Sequence, residues 1–129
     1  MQGLHLTADL AGCPSELPEM TDAAALRRRC LAAVQASGLQ PVGELFHRFA
    51  PHPAVAGPAG VTGVVLLAES HLAVHTWPER GAVTLDAYVC NFGRDNAARA
   101  EALLQALLDA FQPTRQQVQR LQRGFAADR

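Results

Sequence analysis

The sequence contains no lysine: all eleven basic residues among its 129 are arginines. That absence excludes pyridoxal-phosphate chemistry, which holds its cofactor as a Schiff base on a lysine amine, and it excludes the lysine-bearing phosphate P-loop. Long apolar runs are also missing. A membrane-crossing helix needs about 20 such residues, and no stretch approaches that, so no membrane partner is expected. The opening Met1-Gln2-Gly3-Leu4-His5 lacks the basic-then-apolar layout of a signal peptide, and a cytoplasmic location is expected. Neither charge sign dominates, the formal net being −1. Without a basic excess, no nucleic-acid partner is predicted. Cysteine is sparse. Cys13, Cys30 and Cys90 are odd in number, widely spaced and free of any C-x-x-C pair, which reads as thiols rather than a disulfide framework.

What is present is globular in composition, 49% hydrophobic and 18% charged, and 1–129 is read as one domain with a modest core. Leu4, Leu6, Ala8 and Leu10 alternate with His5, Thr7 and Asp9, the pattern of a half-buried strand ended by Gly12 and Pro14. Thr21 is the expected N-cap of a helix over 22–37, with Gly38 as its stop. Strands are predicted over 42–49, 61–68, 72–77 and 82–90, with a Pro/Ala/Gly-rich loop at 50–60 and a turn at Pro78-Glu79-Arg80-Gly81. Asp95 is expected to cap a helix over 96–111 that Pro113 stops, and 115–125 is expected to be an edge strand. The order is taken as β-α-β-β-β-α-β. The fold class is therefore α+β: a two-layer sandwich in which two helices cover one face of an antiparallel sheet. The other face needs cover too, most simply from a second subunit.

The densest polar cluster is Glu69-Ser70-His71 followed by His75, Trp77, Glu79, Asp86, Tyr88 and Cys90. Strand alternation puts His71, Ala73, His75 and Trp77 on one face, and Thr84, Asp86, Tyr88 and Cys90 on one face of the next strand. If the turn pairs Trp77 with Ala82, His75 lies opposite Thr84, His71 opposite Tyr88, and Cys90 beside the Glu69–Ser70 end. Trp, Tyr and Cys are poor choices for a face that merely meets water. Taken singly, Cys90 reads as a core thiol, Glu79 as a solvated turn charge and Trp77 as packing; their company is what singles them out. A shared metal ion is not expected, because His71 and His75 on one strand stand about 13 Å apart. Ser70 lacks a G-x-S-x-G elbow, so a triad hydrolase is not expected either.

The stretch Thr62-Gly63-Val64-Val65-Leu66-Leu67-Ala68-Glu69-Ser70-His71-Leu72-Ala73-Val74-His75-Thr76-Trp77-Pro78-Glu79 strongly resembles the prokaryotic S-adenosylmethionine decarboxylase proenzymes, marked by Glu-Ser-His-Leu and then His-Thr-Trp-Pro-Glu. Phe46-His47-Arg48-Phe49, Asp86 and Cys90 extend the likeness over roughly 4–110. The resemblance implies that Ser70 attacks the Glu69 carbonyl, that the chain is cut into a β chain, 1–69, and an α chain, 70–129, and that Ser70 becomes a pyruvoyl group. That group is the implied cofactor, forming a Schiff base with a small-molecule substrate and draining electrons from its α-carbon, with no pyridoxal phosphate and no metal. His75 would assist processing by proton transfer, and Cys90 would reprotonate the substrate α-carbon. Glu79 would contact the ribose, Phe49 the adenine, and Trp77 would shape that region. A homodimer of processed αβ protomers is also implied, with a role in making the aminopropyl donor for spermidine.

Three departures leave alternatives open. Thr62 stands where the family usually has Ser, keeping the hydroxyl that supports processing. The loop 50–60 is longer than the family's short form. Asn91-Phe92-Gly93 follows Cys90 where the family usually has Gly. The alternatives are a pyruvoyl-dependent ornithine or arginine decarboxylase on the same scaffold, with Asp86 or Asp95 meeting the distal cation, and an unprocessed regulatory paralogue.

Overall fold

A computed structural model describes residues 1–91 and 93–125. Phe92, which the sequence sets beside Cys90, lies outside the described residues. The elements are β1 (Gln2–Ala11), α1 (Ala23–Ser37), β2 (Pro41–Arg48), β3 (Val61–Leu67), β4 (Ser70–Trp77), β5 (Ala82–Cys90), α2 (Ala97–Phe111) and β6 (Arg115–Gly124), with single 3-10 turns at Pro18–Met20 and Pro78–Arg80. All strand pairs are antiparallel, in the spatial order β2-β3-β4-β5-β1-β6. Four strands lie between the helices, so the expected string β-α-β-β-β-α-β is one strand short: each of the four apolar segments between 42 and 90 forms its own strand.

The alternating pattern of β1 becomes a central strand. Leu4, Leu6, Ala8 and Leu10 are all buried, on the same face as Val61, Val65 and Leu67 of β3, Leu72 and Val74 of β4, and Val83, Leu85, Ala87 and Val89 of β5. Leu26, Cys30 and Val34 of α1 and Leu103, Leu104, Leu107 and Phe111 of α2 close over that face. α1 lies over β2 and β3, and α2 over β5 and β1. Charged pairs pin the helices to the outer strands: Arg27 Nη2 reaches Glu44 Oε1 at 2.7 Å, and Arg120 pairs with Glu101. The predicted sandwich, two helices on one face, is the architecture observed.

Helix ends differ slightly from expectation. Asp22, not Thr21, caps α1: its carboxylate accepts from the Ala24 and Ala25 N–H groups at 2.9 and 3.4 Å, a stronger anionic cap than a hydroxyl one residue too early. Gly38 ends the helix at φ 86, where a side chain would be strained. At α2, Asn96 holds the cap position, while Asp95 Oδ1 accepts from the Ala97 N–H at 2.8 Å. Asn96 is occupied elsewhere: its N–H donates to Asn91 Oδ1 and its Nδ2 to the Cys90 carbonyl, both at 2.9 Å. The loop into α2 is thus folded back onto the end of β5.

Burial pushes the Cys30 thiol up to about 12, reinforced by the Glu19 carboxylate and opposed by Arg29. In an unfolded chain that thiol ionises near 8.5. Its contribution to stability is therefore complete below about pH 8.5 and is lost as pH rises toward 12. The Cys30→Ala protein is expected to lose less stability between pH 8 and 11 than the parent, read from denaturant midpoints; equal alkaline declines would refute the assignment.

Candidate active site

The tight turn Ala68-Glu69 joins β3 to β4 and places Leu67 opposite Ser70. Ser70 Oγ accepts a hydrogen bond from the Cys90 backbone N–H at 3.0 Å. Cys90 itself is buried, and its carbonyl is held by Asn96. The register of β4 on β5 is the one the turn suggests: Trp77 faces Ala82, His75 faces Thr84 and His71 faces Tyr88. The adjacent pair Glu69 and Ser70 and the distant Cys90 therefore meet at one end of the sheet. A cavity of about 260 Å³ opens there, lined by Leu39, Gln40, Ala68, Glu69, Cys90 and Arg94 among others.

The remaining candidates gather at the opposite end. Thr62 and His75 are register partners on β3 and β4, and Thr62 Oγ1 lies 3.0 Å from His75 Nδ1. The Trp77 ring is 6.0 Å from the His75 ring. Phe49, Trp77 and Glu79 line one cavity of about 220 Å³, roofed by His52, Val55 and Pro58 of the 50–60 loop. The Phe49 N–H donates to the Gly60 carbonyl at 3.0 Å, which closes the loop at its base. His52 Nδ1 accepts from the Ala54 N–H at 3.0 Å, so His52 keeps its proton on Nε2.

The chain thus carries two clusters, not one. Ser70 and His75 are five residues apart along β4, roughly 17 Å in an extended strand. A proton relay between them requires a separation near 3 Å. No bend of a paired strand closes that gap within one chain.

Between the clusters runs a polar network that the sequence only half indicates. His5 Nε2 lies 3.0 Å from Asp86 Oδ1, and Arg123 Nη1 donates to His5 Nδ1 at 3.1 Å. Arginine has no lone pair to offer, so Nδ1 is the acceptor and the proton on Nε2 goes to Asp86. The Arg123 guanidinium also stands over the Tyr88 ring, 5.6 Å from its centroid. Asp86 and Tyr88 are visible as polar positions on β5. His5 and Arg123 escape notice because β5 neighbours β1, and β1 neighbours β6, only after the chain has crossed the sheet. Asp95, the other carboxylate considered for a distal cation, is spent on the α2 cap. Among the described residues no group of three or more metal-ligating side chains converges.

A sequence profile described as S-adenosylmethionine decarboxylase matches residues 4–124. The S-adenosylmethionine decarboxylase proenzyme of Persephonella marina is 36% identical over 113 residues, covering 88% of this chain and 75% of that protein. The proenzyme of the same name from Aquifex aeolicus is 32% identical over 126 residues, covering 98% and 84%. The crystal structure of the adenosylmethionine decarboxylase from Aquifex aeolicus superposes with a TM-score of 0.83 at 31% identity, covering 98% of this chain and 94% of that one.

Trp77 is the single tryptophan, so its emission reports the second cluster alone. A Cβ at Gly60 would run into the Thr76 carbonyl, on the backbone that carries Trp77. Gly60→Ala is expected to cost about 1–3 kcal/mol and to shift Trp77 emission and acrylamide quenching without changing the far-ultraviolet dichroism. Unaltered emission would separate the loop base from the cavity.

Proposed function

This chain belongs to the S-adenosylmethionine decarboxylase family, and from that premise we propose that it cuts itself before Ser70 and then decarboxylates S-adenosylmethionine with the pyruvoyl group so formed. The observation that carries this reading is the hydrogen bond from the Cys90 N–H to Ser70 Oγ, which sets the processing serine against the residue expected to donate the proton. The relatives' name, proenzyme, supports the cutting step.

In the first step Ser70 Oγ adds to the Glu69 carbonyl carbon, the C–N bond breaks, and the hydroxyl proton ends on the Ser70 nitrogen, leaving an ester. Removal of the Ser70 α-proton then expels Glu69 as a free carboxylate, giving 1–69. Water replaces the nitrogen, ammonia leaves, and 70–129 begins with the keto-acyl group. Once formed, that group supplies an electron sink for the carbanion left when carbon dioxide departs. The chain's own residues do the rest. Cys90 holds a thiol proton for the α-carbon, which requires the protonated form at the working pH. Phe49 and Trp77 offer aromatic faces to a purine and to a sulfonium cation, and Glu79 offers a carboxylate to ribose hydroxyls. The product is the aminopropyl donor for spermidine synthesis.

The two-cluster geometry supports a homodimer. The helix-free face exposes Leu45 at 71%, Leu66 at 50% and Trp77 at 38%, around the His5–Asp86 network. Such a sheet face needs a second layer. A two-fold axis lying between two facing sheets, across their strands, sets each Ser70 end over the partner's His75 end. The partner's His75 and Thr62 then serve the Ser70 that their own strand holds out of reach. Among the described residues, no helix is long and apolar enough to cross a membrane, and none is needed for this assembly.

Two measurements test the reading. Purified protein is expected to appear as two chains of 69 and 60 residues, to trap borohydride, and to release carbon dioxide from S-adenosylmethionine but not from ornithine or arginine; Ser70→Ala is expected to remain one inactive chain. Ser70→Ala and Cys90→Ala define one end and His75→Ala the other. Co-expressed Ser70→Ala and His75→Ala chains are expected to recover about one-quarter of wild-type turnover through mixed dimers with one intact site each. No recovery from the mixture would remove the shared site.

A further inference from the structure

We propose that the left-handed backbone of Glu69 is a positioning device for the cut: it stores strain beside the peptide bond that Ser70 attacks, and the cut releases it. The inference rests on the self-processing reading and deepens it.

Two non-glycine residues in the described chain have positive φ, Gln112 at 51 and Glu69 at 56. Gln112 closes the C-terminus of α2, where a left-handed residue is routine. Glu69 is the second central residue of its turn, where positive φ belongs to a type II geometry and is normally met by Gly or Asn. The type I′ and II′ turns usual for two-residue hairpins place positive φ at the first or at both central positions. Here the first position, Ala68, is not left-handed, and the burden falls on a glutamate with an exposed side chain. No packing of that side chain accounts for the conformation.

The surroundings hold it in place. The Ala68 N–H donates to the Gln40 carbonyl at 3.2 Å, Leu67 and Ser70 are paired across the ladder, and Ser70 Oγ is held by the Cys90 N–H. The Cys90 carbonyl is in turn tied by Asn96 Nδ2. Residues on both sides of Glu69 are anchored, so the turn cannot relax by rotating either neighbour. Strain of this kind persists only where the structure over-determines it. Breaking the bond after Glu69 makes that residue a free chain end, able to return to negative φ. Part of the release is available as the Glu69 carbonyl carbon becomes tetrahedral and its bond to nitrogen lengthens.

Glycine removes the penalty at positive φ, asparagine reduces it, and alanine retains it while deleting the carboxylate. Newly translated Glu69→Gly chains are expected to cut about 2- to 5-fold more slowly than wild type, the equivalent of releasing in the transition state about half of a strain of about 1–2 kcal/mol. Glu69→Asn should fall between, and Glu69→Ala should cut at close to the wild-type rate. In the uncut Ser70→Ala background the order should invert, with Glu69→Gly melting above the parent and Glu69→Ala melting with it. A role of the carboxylate in the cut would slow Glu69→Ala as much as Glu69→Gly and would overturn the proposal. So would Glu69→Gly cutting at the wild-type rate while melting higher. If the wild-type chain itself stays whole in the same time course, the self-processing reading fails rather than this refinement of it.

Discussion

The pairing of β4 with β5, Trp77 against Ala82 through His71 against Tyr88, is the constraint from which the rest of the site follows. A slip of one residue would turn His71, His75 and Trp77 into the helix-covered core and bring Leu72 and Val74 out to the open face. It would also move the Cys90 N–H away from Ser70 Oγ. The register is held by more than the ladder. Thr76, buried on the core face, accepts from the Val61 N–H at 2.9 Å and donates to the Met20 carbonyl at 2.8 Å, tying β4 to the start of β3 and to the turn before α1. The Cys13 N–H donates to the Gly81 carbonyl at 2.9 Å, fixing the β4–β5 turn against the end of β1. A polar side chain in the core is costly unless satisfied; here its satisfaction is what specifies the alignment of the site.

The open face mixes a polar network across β5, β1 and β6 with exposed apolar side chains on β2, β3 and β6. Helices cover one side completely, with Phe111, Leu107 and Leu26 fully buried. The other side presents Asp86 and Arg123 linked through the two ring nitrogens of His5, with Leu45 and Leu66 exposed beyond them. Apolar residues alone would favour any sticky contact. Linked charges fix the orientation of a partner, since an unpaired charge buried by a misplaced one costs several kcal/mol, about 3–5 by measured examples. On the proposed reading, the same network that selects the partner lies between the two ends of the site that the partner must bring together.

Much of this is legible in the amino-acid sequence. Period-two alternation in Leu4–Leu10 and in His71–Trp77 gave the strand faces, and the short Pro78–Gly81 turn gave the register, because so short a connection leaves little freedom. The apolar stripe of 96–111 gave α2. Less legible were contacts made across the sheet. Nothing local announces that β1 inserts between β5 and β6, so His5 and Arg123 could not be placed beside Asp86 and Tyr88. The cap of α1 went to a neighbour, Asp22 for Thr21, the Asp22 carboxylate taking two free N–H groups, while at α2 Asn96 holds the cap position and Asp95 still accepts from the Ala97 N–H. The motif Glu69-Ser70-His71 with His75 reads as one constellation in sequence, yet an extended strand spreads it over roughly 17 Å. Sequence proximity on a strand is not proximity at a reacting atom.

The spread along β4 has a consequence for the order of events. A folded protomer already holds Glu69 in its left-handed state and Ser70 Oγ on the Cys90 N–H, while its own His75 stands roughly 17 Å along β4 from that serine. On the proposed reading the group that serves it is the partner's His75, already oriented by its own Thr62. Cutting then waits on assembly rather than on folding alone. The sequence of dependence has a chemical advantage, because a free keto-acyl end is an electrophile that any amine can attack. Creating it only after two sheets have closed over it confines that reactivity to amines that fit the covered site. A chain without lysine carries no side-chain amine of its own to compete, so the residue type missing from the sequence is also the one that would most readily consume the product of the cut.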